Sequence, residues 1–189
     1  MKKYDFTKGI SDDFFYVVSP ATKAFKEWTI CKDGIKNSYN EDICDFDYIS
    51  MVTKEKQKKR TKLKARCSFE SFGAPLIVFS DDIKEVDGKM TYGLHFEIVA
   101  YENGINIWSI IPYPPRVEKP VKPTKIGSLE FEVDAKKMHD LEVEIEKGKI
   151  TATLCEKTVI AECDEIPESF HVGITACEGD NTFSEFIIE

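Results

Sequence analysis

Strict alternation of apolar and charged residues is the feature that most limits how this chain can fold. Leu141–Glu146 alternates apolar and acidic residues without a break, a turn follows at 147–148, and Lys149–Leu154 alternates again. Successive side chains of a β-strand point to opposite faces, so the pattern predicts a hairpin with one apolar face. A two-residue turn at 147–148, which is Lys-Gly, places Val143 opposite Ala152. This part of the chain is therefore predicted to be β-sheet.

A second hairpin is predicted from an Asn-Gly pair between two apolar segments. Tyr92–Tyr101 precedes the pair 103–104, and Ile105–Ile111 follows it. Asn-Gly is the leading pair for a type I′ turn, because both central residues of that turn need positive φ. With 103–104 at the centre of the turn, Glu102 lies opposite Ile105, and this pairing sets the register of the hairpin.

Short strands separated by turn residues continue along the rest of the chain. The further candidates are Phe14–Ser19, Trp28–Cys31, Tyr48–Val52, Thr61–Phe69, Leu76–Ser80, Leu129–Val133, Thr158–Glu162, Phe170–Cys177 and Phe183–Ile188. Helix is scarce: Ala135–Asp140 has the length of one helical turn, and Lys54–Lys62 fits a short helix or a charged loop. The 189 residues are enough for one domain. We therefore predict a single all-β domain spanning residues 1–189, built as a sandwich or barrel.

The charge balance argues against two classes of partner. The chain has 34 acidic and 26 basic residues and a formal net charge of -8. Nucleic acids and anionic membranes attract basic surfaces, so we expect neither as a partner. The basic segment Lys54–Arg60 fits a solvated loop better than a phosphate site. The proline-rich segment Pro112–Pro123 is expected to be a stiff crossover loop, with docking of another protein as the alternative.

The chain is expected to be cytoplasmic, with reduced thiols. Its N-terminus lacks the apolar segment of a signal peptide, and no stretch approaches the roughly 20 apolar residues of a membrane span. Six cysteines are present, but without a secretory signal they are expected to be free. Their spacing contains no zinc-binding pattern. We expect no bound metal or cofactor. Aspartates at 81, 82 and 87, or the pair 180–181, leave calcium open, although turn formation explains both.

Two parts of the sequence are similar to a known superfamily. Trp28–Gly34 reads Trp-Thr-Ile-Cys-Lys-Asp-Gly, which resembles the early W-x-(apolar)-x-x-D-G strand and turn of the concanavalin A-like lectin/glucanase superfamily. The strand pattern from Leu141 to Ile188 resembles the closing strands of the same proteins. The outline fits residues from about 25 to 189. The resemblance implies a jelly-roll β-sandwich with one concave sheet face, and it implies glycan binding or cleavage as the kind of activity.

The Asn-Gly hairpin carries the candidate binding site on one face. One side of the hairpin is apolar, and the other combines an imidazole, a carboxylate, a phenol, an amide and an indole. These side chains belong to His95, Glu97, Tyr101, Asn106 and Trp108. Aromatic rings stack on the C–H faces of sugars and planar polar groups bind their hydroxyls, so this face is predicted to bind a saccharide. A plain covered sheet surface with a structural histidine is the alternative.

Three further possibilities start from single residues or short motifs. Arg66 lies on the polar side of its strand and is a candidate addition to the site. Glu97 with His95, or with a distant carboxylate, could serve a glycoside hydrolase as acid or base. The paired catalytic carboxylates of the superfamily's glucanases lie on one strand in the order E-x-D-x-(x)-E, which is absent. The nearest segment, Glu130–Asp134, is expected to be the polar outer face of a strand.

Other enzyme motifs are missing from the sequence. It contains no G-x-S-x-G, H-E-x-x-H, G-x-x-x-x-G-K-[ST] or G-x-G-x-x-G. A catalytic cysteine–histidine pair stays open, because residues far apart in sequence can be neighbours in the fold. The sequence therefore predicts a lectin-like domain that binds a glycan, with a glycoside hydrolase and a protein-interaction module as alternatives.

Overall fold

The computed structural model describes residues 1–18, 28–39, 48–112 and 121–189. These ranges contain sixteen strands, one short 3-10 helix at Phe6–Lys8, and no α-helix. The strands are β1 (Lys2–Asp5), β2 (Phe14–Val18), β3 (Thr29–Cys31), β4 (Gly34–Tyr39), β5 (Ile49–Thr53), β6 (Gln57–Lys58), β7 (Thr61–Ser80), β8 (Ile83–Val86), β9 (Lys89–Tyr92), β10 (His95–Tyr101), β11 (Gly104–Pro112), β12 (Val121–Glu130), β13 (His139–Glu146), β14 (Lys149–Leu154), β15 (Lys157–Glu162) and β16 (Ser169–Ile188). No helix in the described ranges is long and apolar enough to cross a membrane.

Two long central strands, β7 and β16, join the two layers of a sandwich. The C-terminal half of β7 and the N-terminal half of β16 pair in the first sheet, whose order is β12-β11-β10-β7-β16-β5-β2-β9-β8. Their other halves pair in the second sheet, where β15-β14-β13 extends from β7, and β1 and β4 pair with β16. The ladder between β7 and β16 changes register at several points between Ala176 and Glu185. Such irregularities bend strands and let them pass from one sheet to another.

The core lies between the two sheets and is built from the inward side of each alternating strand. Val143 and Ile145 of β13 are buried against Ile98 and Ile107 of the first sheet, in one apolar cluster. The Phe79 and Phe96 rings stack within it. The all-β fold predicted from the alternation is confirmed, and so is the jelly-roll sandwich that the resemblance implied.

The two predicted hairpins have different outcomes. In the first, Val143 pairs with Ala152 around the 147–148 turn, as predicted. In the second, Tyr101 pairs with Gly104, so the predicted register is wrong by two residues. The turn is at 102–103, because Gly104, with φ 129°, belongs to the strand and a Cβ there would lie 2.0 Å from the carbonyl oxygen of Leu129. A shift of two residues keeps every side chain on its predicted face.

Several predicted boundaries are wrong. The strands predicted at Thr61–Phe69 and Leu76–Ser80 are two parts of one strand, β7. The strands predicted at Phe170–Cys177 and Phe183–Ile188 are likewise two parts of β16. Ala135–Asp140 forms turns that lead into β13, with no helical turn. Only Leu129 and Glu130 of the strand predicted at Leu129–Val133 lie in a strand, which is β12 and runs from Val121 to Glu130. The proline-rich segment therefore reaches into a strand at both ends, and residues 113–120 lie outside the described ranges. The Lys54–Lys62 segment is a connection with the short strand β6, and not a helix.

Candidate functional site

A groove lies on the outer face of the first sheet, across β7, β10, β11, β12 and β16. Its volume is about 220 Å³. We call it the Trp108 groove, and it is lined by Ala74, Glu97, Val99, Tyr101, Glu102, Asn106, Trp108, Pro123, Cys177 and Glu178. The β10–β11 register places Glu97 directly opposite Trp108 and Val99 opposite Asn106, so the predicted polar side of the hairpin forms the centre of the groove.

Four of the six predicted site residues line this groove, and a fifth lies next to it. Glu97, Tyr101, Asn106 and Trp108 are lining residues. His95 is fully buried beside Glu97, with its Nε2 atom 3.4 Å from the Glu97 Oε1 atom. It supports the groove and is not exposed to a ligand.

Arg66 is the exception, and its proposed addition to this site is wrong. It lies on the half of β7 that pairs with β13, where its guanidinium contacts Asp140 at 3.2 Å. The hairpin pairs with the other half of β7, at Leu76–Phe79. Ten residues of extended strand separate Arg66 from Leu76, which corresponds to roughly 30 Å. The local pattern around Arg66 gave no sign that this strand continues into a second sheet.

A buried polar cluster forms the floor of the groove. The Tyr48 hydroxyl donates a hydrogen bond to Glu97 Oε1 and lies 3.3 Å from His95 Nε2. On the other side of the imidazole, Nδ1 donates to the Gly93 carbonyl at 2.9 Å. The His95 ring also stacks on Tyr92 at 4.5 Å. The hydrogen bond to Gly93 leaves Nε2 of the neutral ring without a proton, so this nitrogen faces the Tyr48 hydroxyl and the Glu97 carboxyl group as a hydrogen-bond acceptor.

Burial shifts both titratable groups of this cluster toward their neutral forms. Glu97 is 2% exposed, and desolvation raises its pKa to about 8. Desolvation lowers the pKa of His95 to about 4, partly opposed by the hydrogen bond to Gly93. A carboxylic acid and an imidazole thus share one proton at neutral pH. The floor of the groove carries no net charge under these conditions.

The upper part of the groove presents an aromatic surface and an unused acceptor. Trp108 is half-buried, and the Lys125 ammonium lies 5.0 Å from the centre of its ring, a cation–π distance. Asn106 Oδ1 is buried and has no hydrogen-bond partner among the described residues. A buried acceptor without a partner costs free energy, so it is suited to a ligand that supplies a donor.

Sequence reasoning missed Tyr48, which completes the floor cluster. Tyr48 precedes β5, which is separated from the hairpin by two strands, β7 and β16, and it lies almost 50 residues earlier in the chain. The alternation of Tyr48, Ser50 and Val52 predicts that these three share a face, but nothing in it indicates which strand lies beside them. Lys125 was missed because no strand was predicted between Pro123 and Leu129, whereas β12 spans this part of the chain.

A second cavity, of about 250 Å³, lies on the other sheet and is less suited to a ligand. Both of its lining lysines are in ion pairs, Lys62 with Glu144 and Lys64 with Asp140, each at 3.5 Å. None of its described lining residues is aromatic, so the cavity has no ring on which a sugar could stack. We therefore take the Trp108 groove as the candidate site.

Other acidic candidates have structural roles. Glu130, Glu132 and Asp134 are exposed, but only Glu130 lies in a strand, because β12 ends there; the strand expected over Glu130–Asp134 is therefore wrong beyond its first residue. Asp82 accepts a hydrogen bond from the Leu94 amide and pairs with Lys84. Among the described residues no group of three or more His, Cys, Asp or Glu side chains is placed to hold a metal ion.

Comparison with known proteins gives structural neighbours only. No protein-family model matches the sequence, and no curated protein matches it. Among solved structures, carbohydrate-binding module CBM66 from Bacillus subtilis has a TM-score of 0.67 at 11% identity, covering 95% of this chain and 98% of that one. A GH16 protein of Bacteroides ovatus, in complex with a G4G4G3G product, has a TM-score of 0.61 at 10% identity. The alignment covers 100% of this chain and 99% of that one.

A third neighbour was solved in a ligand-bound form. The exoplasmic/lumenal domain of VIP36, in its Ca2+/Man-bound form, has a TM-score of 0.55 at 12% identity, covering 94% of this chain and 82% of that one. At such low identity these likenesses establish the fold. The chain has the concanavalin A-like jelly-roll fold that the sequence resemblance implied.

Proposed function

We propose that this protein binds a saccharide in the Trp108 groove. The observation that carries the proposal is the buried Asn106 Oδ1, which has no hydrogen-bond partner in the described part of the chain, beside the half-buried Trp108 ring. A sugar offers a C–H face to stack on an indole and adjacent hydroxyl groups that donate hydrogen bonds. One ligand class therefore satisfies both features.

The electrostatics of the groove favour a neutral saccharide. Burial keeps Glu97 protonated at neutral pH. The floor of the groove therefore carries no charge that a ligand would have to neutralise. The Lys125 ammonium already lies over the Trp108 ring. Three structural neighbours support the same ligand class: one is a carbohydrate-binding module, one is in a Man-bound form, and one is in complex with a G4G4G3G product.

Calorimetric titration tests the proposal with a panel of neutral saccharides. The panel contains mannose, N-acetylglucosamine, laminaritriose and a mixed-linkage glucan tetrasaccharide. We expect at least one member to bind the native protein and Trp108→Ala to lose that binding. Tyr16→Ala is the matched control, because Tyr16 is an aromatic residue, 51% exposed, that does not line the groove. Equal affinity of the native protein and Trp108→Ala for every bound saccharide would refute the assignment.

Hydrolysis is the second candidate, favoured by one observation. A carboxyl group whose pKa is raised to about 8 has the protonation state of a general acid at neutral pH. Its near-complete burial and its bond to Tyr48 favour a binding role. Product analysis by chromatography, after prolonged incubation with each bound saccharide, separates the two. Cleavage that disappears in Glu97→Gln while binding persists would establish the hydrolase.

A further inference from the structure

A cysteine and a histidine meet on the second sheet, away from the Trp108 groove. Cys155 and Glu156 form the two-residue turn between β14 and β15, in which Leu154 pairs with Lys157. Both turn residues have positive φ, 50° and 62°. Gly, Asn and Asp are the residues that favour this conformation, so turn geometry does not explain a cysteine here. The Cys155 side chain is exposed.

The histidine is held in the tautomer that offers a base to this thiol. His139 Nε2 donates a hydrogen bond to the Asp134 carbonyl at 2.7 Å. The carbonyl can only accept, so Nε2 carries the proton and Nδ1 of the neutral ring is free to accept one. Nδ1 lies 3.3 Å from Cys155 Sγ, within hydrogen-bond distance for sulfur. A backbone contact thus orients the base toward the nucleophile.

The surroundings keep the thiol protonated until a base removes the proton. Partial burial and the Glu156 carboxylate raise the pKa of Cys155. Cys67, opposite His139 in the β7–β13 ladder, is fully buried, and desolvation raises its pKa to about 12, so it does not compete as a nucleophile. Reaction at Cys155 therefore depends on proton transfer to His139.

We infer that Cys155 and His139 form a reactive pair that exchanges with small disulfides in solution. His139 Nδ1 takes the proton as Cys155 Sγ attacks one sulfur of the disulfide. The disulfide bond breaks, a new S–S bond forms to Cys155, and the departing thiolate takes the proton back from the imidazolium. The Cys155 sulfur is oxidised and the departing sulfur is reduced, so no other reagent is needed. This attack requires an exposed sulfur and a base, but no oxyanion-binding pocket.

The reaction with 5,5′-dithiobis(2-nitrobenzoate), itself a small disulfide, tests the inference. Peptide mass spectrometry at successive times assigns a rate to each cysteine. Among the cysteines that the structure describes, we expect Cys155 to react first, and we expect His139→Gln to slow its reaction by roughly 100-fold, the low end for loss of a general base. Cys163 is the internal reference, because it is also partly exposed and burial also raises its pKa. It differs from Cys155 in its base: the other two histidines, His95 and His171, bond to the Gly93 and Thr53 carbonyls instead of to a thiol.

A second variant keeps the test decisive if His139→Gln does not fold. Cys155→Ser is then expected to remove the fastest phase of reagent release in the otherwise native protein. The inference is overturned if Cys155 reacts no faster than Cys163, if a folded His139→Gln leaves the Cys155 rate unchanged, or if Cys155→Ser retains the fast phase.

Discussion

The shared proton of Glu97 and His95 predicts how stability depends on pH. In the unfolded chain the ordinary pKa values are 4.5 for glutamate and 6.5 for histidine, whereas the folded pair titrates at about 4 and about 8. Between about pH 4.5 and 6.5 the pair holds one proton in both the folded and the unfolded state, so it does not change the unfolding free energy as the pH changes. From 6.5 to about 8 only the folded state holds it, and stability falls as pH rises.

The magnitude follows from the width of that window. Each pH unit over which the folded state holds one extra proton changes the unfolding free energy by about 1.36 kcal/mol. Over about 1.5 units, the loss is about 2 kcal/mol. Both side chains are at most 2% exposed, so solvent screening does not reduce this figure substantially. The pair holds one proton whether Glu97 and His95 are both neutral or form an ion pair, so the figure is the same in both cases.

Glu97→Gln isolates the effect, because glutamine keeps the acceptor for the Tyr48 hydroxyl but does not titrate. Urea unfolding followed by tryptophan fluorescence at pH 6.5, 7.25, 8 and 9 measures the free energies. We expect the native protein to lose about 2 kcal/mol by pH 8 and to level off near 9, while Glu97→Gln lacks this loss. The same decline in both proteins would refute the account of the buried pair.

Three further substitutions have defined outcomes. Tyr48→Phe removes the hydroxyl bonded to the buried Glu97, so urea unfolding should show a loss of about 1–3 kcal/mol. Gly104→Ala places a Cβ 2.0 Å from a backbone oxygen at φ 129° and should cost at least about 2 kcal/mol in the same assay, more than Gly88→Ala, where nothing lies within 4 Å. Asn106→Ala should leave stability within about 0.5 kcal/mol but weaken saccharide binding about tenfold by calorimetry, because its Oδ1 has no partner among the described residues.

The side of the hairpin that forms the groove could be predicted from sequence because it depends only on parity. Glu97, Asn106 and Trp108 share a face under both the predicted and the observed register, since the two differ by an even number of residues. The Asn-Gly pair suggested the wrong turn centre because close packing of Gly104 on Leu129 requires the glycine in the strand.

Contacts between strands that are distant in sequence could not be predicted in this way. Tyr48 reaches Glu97 only because β5, β16, β7 and β10 lie side by side, and alternation says nothing about strand order. Arg66 was misplaced for a related reason: the alternation of Thr61–Phe69 does not indicate that the strand continues to Ser80, nor that its two halves pair in different sheets.

Fluorescence of Trp108 during saccharide titration tests the central claim most directly. The chain has two tryptophans, and Trp28 is 7% exposed with its indole nitrogen bonded to the Ile49 carbonyl, so it should not respond to a ligand in the groove. The account predicts a saturable change in emission with a saccharide that binds, and its absence in Trp108→Phe. A saccharide that binds without changing Trp108 emission, or a change that persists in Trp108→Phe, would contradict it.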